Sequence, residues 1–151
     1  MNHNLSGLAL GFVLALSGVV FVIGSNQIAT AQEGMNSQQG VLVGYGGQVF
    51  GVANVASNGH TTRVDLITDF VPNPDMVFEA WLVDGNYAAS GYPLSLGQFI
   101  KDGTLQFDEN LVNSDTYTDI MVTMEPRNDL DPKPAWSNAV GAYYLASPFG
   151  K

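Results

Sequence analysis

Residues 49–68 read VFGVANVASNGHTTRVDLIT. Apolar residues recur with a period of two in both halves, around Asn58 and Gly59, a dipeptide that takes the positive φ of a tight hairpin turn at little cost. In the second half Val64 and Leu66 alternate with Arg63 and Asp65, the pattern of a strand with one buried and one wet face. Residues 49–56 and 61–68 therefore predict two antiparallel strands.

The same period continues outward. Residues 76–83 (MVFEAWLV) follow the turn-forming Pro72, Asn73, Pro74 and Asp75 and are apolar on both faces except at Glu79, which predicts a central strand. Residues 93–101 and 104–107 flank Asp102 and Gly103, a second hairpin signal. In residues 117–124, Ile120, Val122 and Met124 alternate with Asp119, Met121 and Thr123, so one face is expected in the core. Residues 127–137 (RNDLDPKPAWS) hold two prolines and read as an irregular loop, and residues 139–146 as a final strand. No amphipathic helix of useful length and no internal repeat is visible after residue 32. The fold class expected is all-β, an antiparallel β-sandwich of about seven to eight strands.

Composition narrows the function classes. The chain has 151 residues, a formal net charge of −9 from 14 acidic and 5 basic side chains, and no cysteine. That length suits one ordinary domain. So few basic residues leave no footprint for a phosphate backbone, so nucleic acid is not expected as a partner. Without cysteine there is no disulfide, thiolate nucleophile, blue-copper centre or iron–sulfur cluster.

All charged side chains lie from Glu33 onward, and residues 8–23 form a nearly unbroken apolar run. Ala29, Thr30 and Ala31 then give a small-x-small cleavage signal. Residues 1–31 are read as a secretory signal peptide cut after Ala31, its n-region lacking the usual Lys or Arg; the rival is an uncleaved anchor through residues 8–23, whose roughly 16 apolar residues are short for a span of about 20. Either reading exports the remainder, released or held at the membrane. Residues 32–40 are polar and unpatterned and are expected as a tether, with the sandwich domain at 41–151.

Chemistry is sparse in this pattern. His60 is the one histidine after residue 32 and sits beside the expected turn, where a solvated role is the simpler reading; a copper or zinc site recruits more than one imidazole. Ser57 lies nearby but without a nucleophile elbow. Carboxylate pairs such as Asp65 with Asp69, or Glu125 with Asp129, are too common in an acidic chain to indicate acid–base catalysis. Glu125, Asn128, Asp129 and Asp131 form the densest oxygen cluster, but their spacing does not match the calcium-binding loop pattern. Gly44, Gly46 and Gly47 are followed by neither a Lys nor a helix, so they read as a turn rather than a phosphate cradle. Trp81, Tyr87, Tyr92, Trp136, Tyr143 and Tyr144 suit sheet packing, with Trp136 set apart by its place in the Pro-rich loop.

Several strings together resemble a known family. FEAWLVDG at 78–85, PLSLGQF at 93–99, DGTLQF at 102–107 and VTMEP at 122–126 followed by DPKP are similar to the extracytoplasmic domain of anti-sigma-K factors. The resemblance spans most of residues 42–146 and implies a β-sandwich sensor or binding module outside the cytoplasm. Two departures stand out. RNDLDPKP replaces the Gly, Ser and Pro-rich loop of the family, and only seven residues precede the apolar run, where family members carry a cytoplasmic sigma-binding segment. The resemblance thus implies fold and export rather than transcriptional control by this polypeptide alone. Chordin-like and DOMON-associated domains are similar at lower specificity, with Gly51, Ala53 and Val55 in their G-x-A-x-V start.

The function expected is an exported, non-enzymatic binding module without a cofactor, recognising an extracytoplasmic protein or envelope component. Its candidate interaction surface is Glu125, Arg127, Asp129, Asp131 and Trp136, which combine charge, Pro rigidity and an aromatic anchor. The alternatives are an exported metal-binding or redox-associated β domain using His60, methionines and the acidic loop, and an envelope component that self-associates through strand edges.

Overall fold

The computed structural model describes residues 34–85, 93–111, 113–146 and 149. They lie in a compact unit, Gln32–Lys151. The expected signal segment with Ala31, and Tyr87 and Tyr92, lie outside the described residues.

The hairpin forms as read. Strands β2 (Val49–Ser57) and β3 (Thr61–Ile67) pair antiparallel from Ser57↔Thr62 to Val52↔Ile67. Gly59 has φ 83°, and the Asn58 carboxamide oxygen accepts from the His60 and Thr61 amides at 3.0 and 2.8 Å. That closes the turn without a backbone group left dry.

A strand not foreseen as such lies beside it. β1 (Asn36–Gly44) pairs with β2 from Asn36↔Ser57 to Val43↔Val49. The expectation of a tether through residue 40 is therefore corrected, because residues 36–40 are strand. Ladder bonds are made by backbone, so a strand needs no apolar side chain where both of its neighbours leave room for polar ones. On the other side β3 pairs with β6 (Thr104–Asn110). The second half holds β4 (Met76–Val83), β5 (Leu94–Gln98), β7 (Asp119–Pro126) and β8 (Ala139–Tyr144). β4 is paired on both edges, by β5 and β7, and its two apolar faces pack into the main core and into a second, smaller cluster.

The eight strands run in the order β5-β4-β7-β8-β1-β2-β3-β6, all antiparallel. There is no α-helix among the described residues. Two four-stranded layers meet at a narrow seam, where β1 and β8 pair only through Val43↔Ala142 and Gly44↔Gly141. Beyond that point the strands separate and side chains replace the ladder. The Gln38 carboxamide donates to the Ala146 carbonyl and accepts from the Ala146 amide, each at 2.7 Å. Gly40 is required next to it, since a Cβ there would stand 2.5 Å from the Tyr143 ring. Bulges at Leu42/Val43 and Val122/Thr123 bend the strands close to this seam.

The layers close over one core. Leu42, Val55, Val64, Leu66 and Leu105 from one layer meet Phe78, Leu82, Leu96, Ile120 and Val122 from the other. Each of these side chains contributes roughly 1.5–3 kcal/mol by leaving water. At the far edges, β5 and β6 meet at the turn at 99–103 without pairing with one another, so the second expected hairpin is instead a turn between the layers.

β7 departs from the one-faced pattern. Met121, Thr123 and Glu125, on the face away from the main core, are buried as well. Met121 joins Trp81 and Val83 in a second cluster, against which Trp136 and Ala139 pack. The alternation holds, but the loop that follows β7 folds back and covers the outer face.

Tyr143 at the seam and Tyr117 before β7 carry phenols shifted above the ordinary value of 10.0. Burial is the cause at Tyr143; at Tyr117 burial comes first and the negative charge of Asp84 second. The folded state thus holds these protons more tightly than the unfolded chain, and their contribution to stability is intact below pH 10 and lost as pH rises through the folded-state values. Denaturant midpoints measured across alkaline pH are expected to fall above pH 10, with a shallower fall in Tyr117→Phe/Tyr143→Phe; an unchanged slope in the double variant would contradict this.

Candidate interaction surface

Antiparallel register gathers the loops at one end. Val43↔Val49, Ile67↔Thr104 and Met76↔Pro126 bring together the turns at 44–48, 68–75 and 99–103 and the loop from Pro126 to β8. The chain enters the sheet at Asn36, which is opposite Ser57 at the other end.

Exposed apolar side chains concentrate at this loop end. Tyr45 is 66% exposed, Ile100 63%, Val71 86% and Leu130 96%, and Phe70 is also exposed. Single exposed apolar residues are ordinary, but a group of them on one set of loops marks a surface kept open at an energetic cost.

The loop carrying Phe70 and Val71 is held firmly. Thr68 donates its amide to the Gly103 carbonyl at 2.8 Å and its hydroxyl to the Phe50 carbonyl at 2.5 Å, and its Oγ1 accepts from the Phe70 amide at 3.1 Å. The Phe70 ring stacks on Phe50 with centroids 5.1 Å apart; Phe50 meets Phe78 edge-on at 5.2 Å, and Phe78 meets Phe99 at 6.2 Å. A line of rings thus runs from the core to the exposed loop. Pro72 and Pro74 restrict φ. Arg127 fastens the loop's far side: its Nε and Nη2 donate to the carbonyls of Pro74 and Met76 at 3.0 and 3.1 Å, and its amide donates to that of Asp75 at 2.9 Å.

Residues 70–72 form a ridge between two clefts of about 320 and 280 Å³. The first is lined by Tyr45, Phe50 and Met124, the second by Phe99, Ile100, Lys101 and Arg127.

The five side chains expected to form the interaction surface divide by position. Glu125 is 3% exposed, which removes it from any surface. Its Oε1 accepts from the Thr123 hydroxyl at 2.5 Å and the Ala135 amide at 2.9 Å, and Thr123 Oγ1 in turn accepts from the Trp81 indole at 2.9 Å. Glu125 Oε2 has no partner among the described residues. Trp136 is half-buried against the Trp81, Val83 and Met121 cluster, so it anchors the loop inward. Arg127 is exposed but spends its donors on the 74–76 carbonyls. Asp129 and Asp131 are exposed, and each accepts from a backbone amide two residues on, that of Asp131 at 2.8 Å and that of Lys133 at 3.1 Å. Glu125, Arg127 and Trp136 therefore shape the end loops, while the outward groups on this loop are Asp129, Leu130 and Asp131.

Phe70, Val71, Ile100 and Tyr45 were missed by sequence reading. The signal was present in DFVPNPD at 69–75, where two bulky apolar residues sit inside a segment otherwise made of turn formers.

Other candidate chemistry does not assemble. Ser57 is buried, with its Oγ 3.1 Å from the hydroxyls of both Thr62 and Ser114, whereas His60 is exposed. Among the described residues no three His, Asp or Glu side chains are grouped to hold a metal ion, and no helix is long and apolar enough to cross a membrane.

The family model of the anti-sigma-K factor RskA, C-terminal, matches residues 8–137. The chain belongs to this family. The match to the RskA C-terminal family starts at the head of the apolar run and ends just after Trp136, taking in the aromatic ladder, the ridge and the Glu125-anchored loop. As an anti-sigma factor domain family it is regulatory, an interaction module by its place in such proteins. No curated protein and no solved structure matches the chain.

The Glu125 anchor has a measurable consequence. Glu125→Ala strips the Thr123 hydroxyl and the Ala135 amide of their acceptor and is expected to destabilise the protein by about 1–3 kcal/mol, whereas Glu125→Gln keeps an oxygen there and costs less. Equal denaturant midpoints for wild type and Glu125→Ala would refute the anchoring role.

Proposed function

We propose that this protein is an exported, non-enzymatic interaction module that docks an extracytoplasmic protein through its loop end. The observation that carries the proposal is the exposed apolar ridge at residues 70–72, fixed by Thr68, the stacked rings and Arg127. A preordered apolar ridge loses little conformational freedom on binding, so more of its contact energy appears as affinity. Ile100 and Tyr45 widen the contact, and Asp129 and Asp131 supply a charged rim. The regulatory character of the family supports the reading.

Export is proposed to run through residues 1–31, either cut after Ala31 or retained as an anchor through residues 8–23. The family match beginning at residue 8 supports treating the apolar run as part of the functional unit. Intact mass of the protein from membrane and medium fractions tests this: a chain beginning at Gln32 outside the cell means release, and a full-length chain in the membrane fraction means an anchor. Full-length protein confined to the cytoplasm would overturn export.

The docking surface is tested by a photo-crosslinking residue placed at Val71 or, at the opposite end, at Glu109, in cells expressing the full chain. A discrete protein adduct from position 71 and none from 109 is expected, and Val71→Asp should abolish complex formation while changing stability by no more than about 0.5 kcal/mol. Equal adducts from both positions, or none from position 71, would remove the ridge from consideration.

A further inference from the structure

The loop from Pro126 to β8 presents an apolar knob. Leu130 is 96% exposed and stands between Asp129 and Asp131 in the string NDLDP at 128–132. The tip is ordered by its own backbone: the Asp129 amide donates to the Pro126 carbonyl at 3.0 Å, and the Asp129 and Asp131 carboxylates accept from the amides of Asp131 and Lys133. Behind the tip, Glu125 accepts from the Ala135 amide and Trp136 packs on the sheet. A leucine held in water at the tip of an ordered loop gains free energy from any apolar surface that covers it.

A matching hole lies beside the knob. Arg127, three residues before Leu130, lines the cleft of about 280 Å³, whose floor is the buried Phe78 and Phe99 and whose wall includes Ile100. Three residues of chain span at most roughly 11 Å, so knob and hole are close neighbours on one end of the molecule. The cleft's rim carries Lys101 and Arg127, both exposed. Two carboxylates share that rim. Asp102 Oδ1 already accepts from the Thr104 amide and hydroxyl, at 3.0 and 2.6 Å, and Asp69 is exposed.

Charge is distributed to match. With a net charge of −9, the chain repels its own copy over most of its surface. Of the four described Lys and Arg side chains, three stand at this end, namely Lys101, Arg127 and Lys133, while Arg63 is paired with Asp108 on the sheet. The loop end therefore carries both signs of charge together with an exposed apolar group and an apolar cleft, as a surface that meets its own copy must.

We propose, resting on the loop end as the docking surface, that its partner is a second copy of this chain in a two-fold pair. Leu130 of each copy enters the Phe78, Phe99 and Ile100 cleft of the other, and the flanking Asp129 and Asp131 face Lys101 and Arg127 across the interface. A two-fold axis between knob and hole makes both insertions at once. A different protein that fills the cleft leaves Leu130 in water unless it also supplies a second cleft, whereas a second copy brings the complement of both features.

Sedimentation equilibrium of the protein as isolated from cells, in density-matched detergent where residues 1–31 are retained, tests the proposal. A reversible monomer–dimer equilibrium is expected. Leu130→Ser, at a position almost fully in water, should weaken it about tenfold without moving the thermal midpoint. Lys101→Asp and Asp131→Lys should each weaken it as well. An equimolar mixture of those two variants should associate like the wild type, because in the mixed pair both cross-contacts again join opposite charges. A monomer at every concentration, a dimer indifferent to Leu130→Ser and Lys101→Asp, or no recovery in the mixture would overturn self-docking. A crosslink from Val71 to a different protein would then leave the loop end as a docking surface and remove only this partner; no adduct from Val71 would remove both readings.

Discussion

The seam between β1 and β8 is the constraint on which the rest of the structure depends. A sheet of eight strands must bend over to bury one face, and here the bend falls where two layers share only Val43↔Ala142 and Gly44↔Gly141. Bending frees backbone groups that must find other partners. Gln38 supplies them to Ala146, Tyr143 fills the opening, and the absence of a side chain at Gly40 makes room for its ring. With the seam made in this way, the inner faces meet as a single core and the turns gather at two ends.

Most of the fold was legible because its signals are local. Period-two alternation with Asn58–Gly59 or Asp102–Gly103 between the runs located β2, β3, β5 and β6, and the two-sided apolar run of residues 76–83 located β4 with its bounds. β1 was less legible since NSQQG at its start carries no alternation. Its strand character comes from pairing with β2, a non-local condition that a polar sequence does not display. The burial of Thr123 and Glu125 was hidden for the same reason. Nothing in VTMEP says that residues 134–136 return to lie on them.

Composition and placement differ at the loop end. A Pro-rich acidic loop with a tryptophan reads as a binding element, and it does lie at the loop end, but Trp136 and Glu125 face inward and hold the loop in shape. The outward apolar groups come from a neighbouring loop, whose Phe70 is continuous through Phe50 and Phe78 with the core. Rigidity and exposure are therefore supplied by different residues: Thr68, Arg127, Glu125 and Trp136 fix the backbone, and Tyr45, Val71, Ile100 and Leu130 meet the solvent. The charge balance is consistent with this division, since Arg127, one of only 5 basic residues, is committed to main-chain carbonyls.

The Gln38 clamp joins residues 108 positions apart, and it makes the first strand a neighbour of the last. β1 therefore has one side unmatched until β8 is in place. Closing these layers pairs strands distant in sequence, so loop-closure entropy is met before the contacts that reward it. The step that locks the domain is thus a long-range one, and closure of the two layers is expected to be slow beside formation of their hairpins.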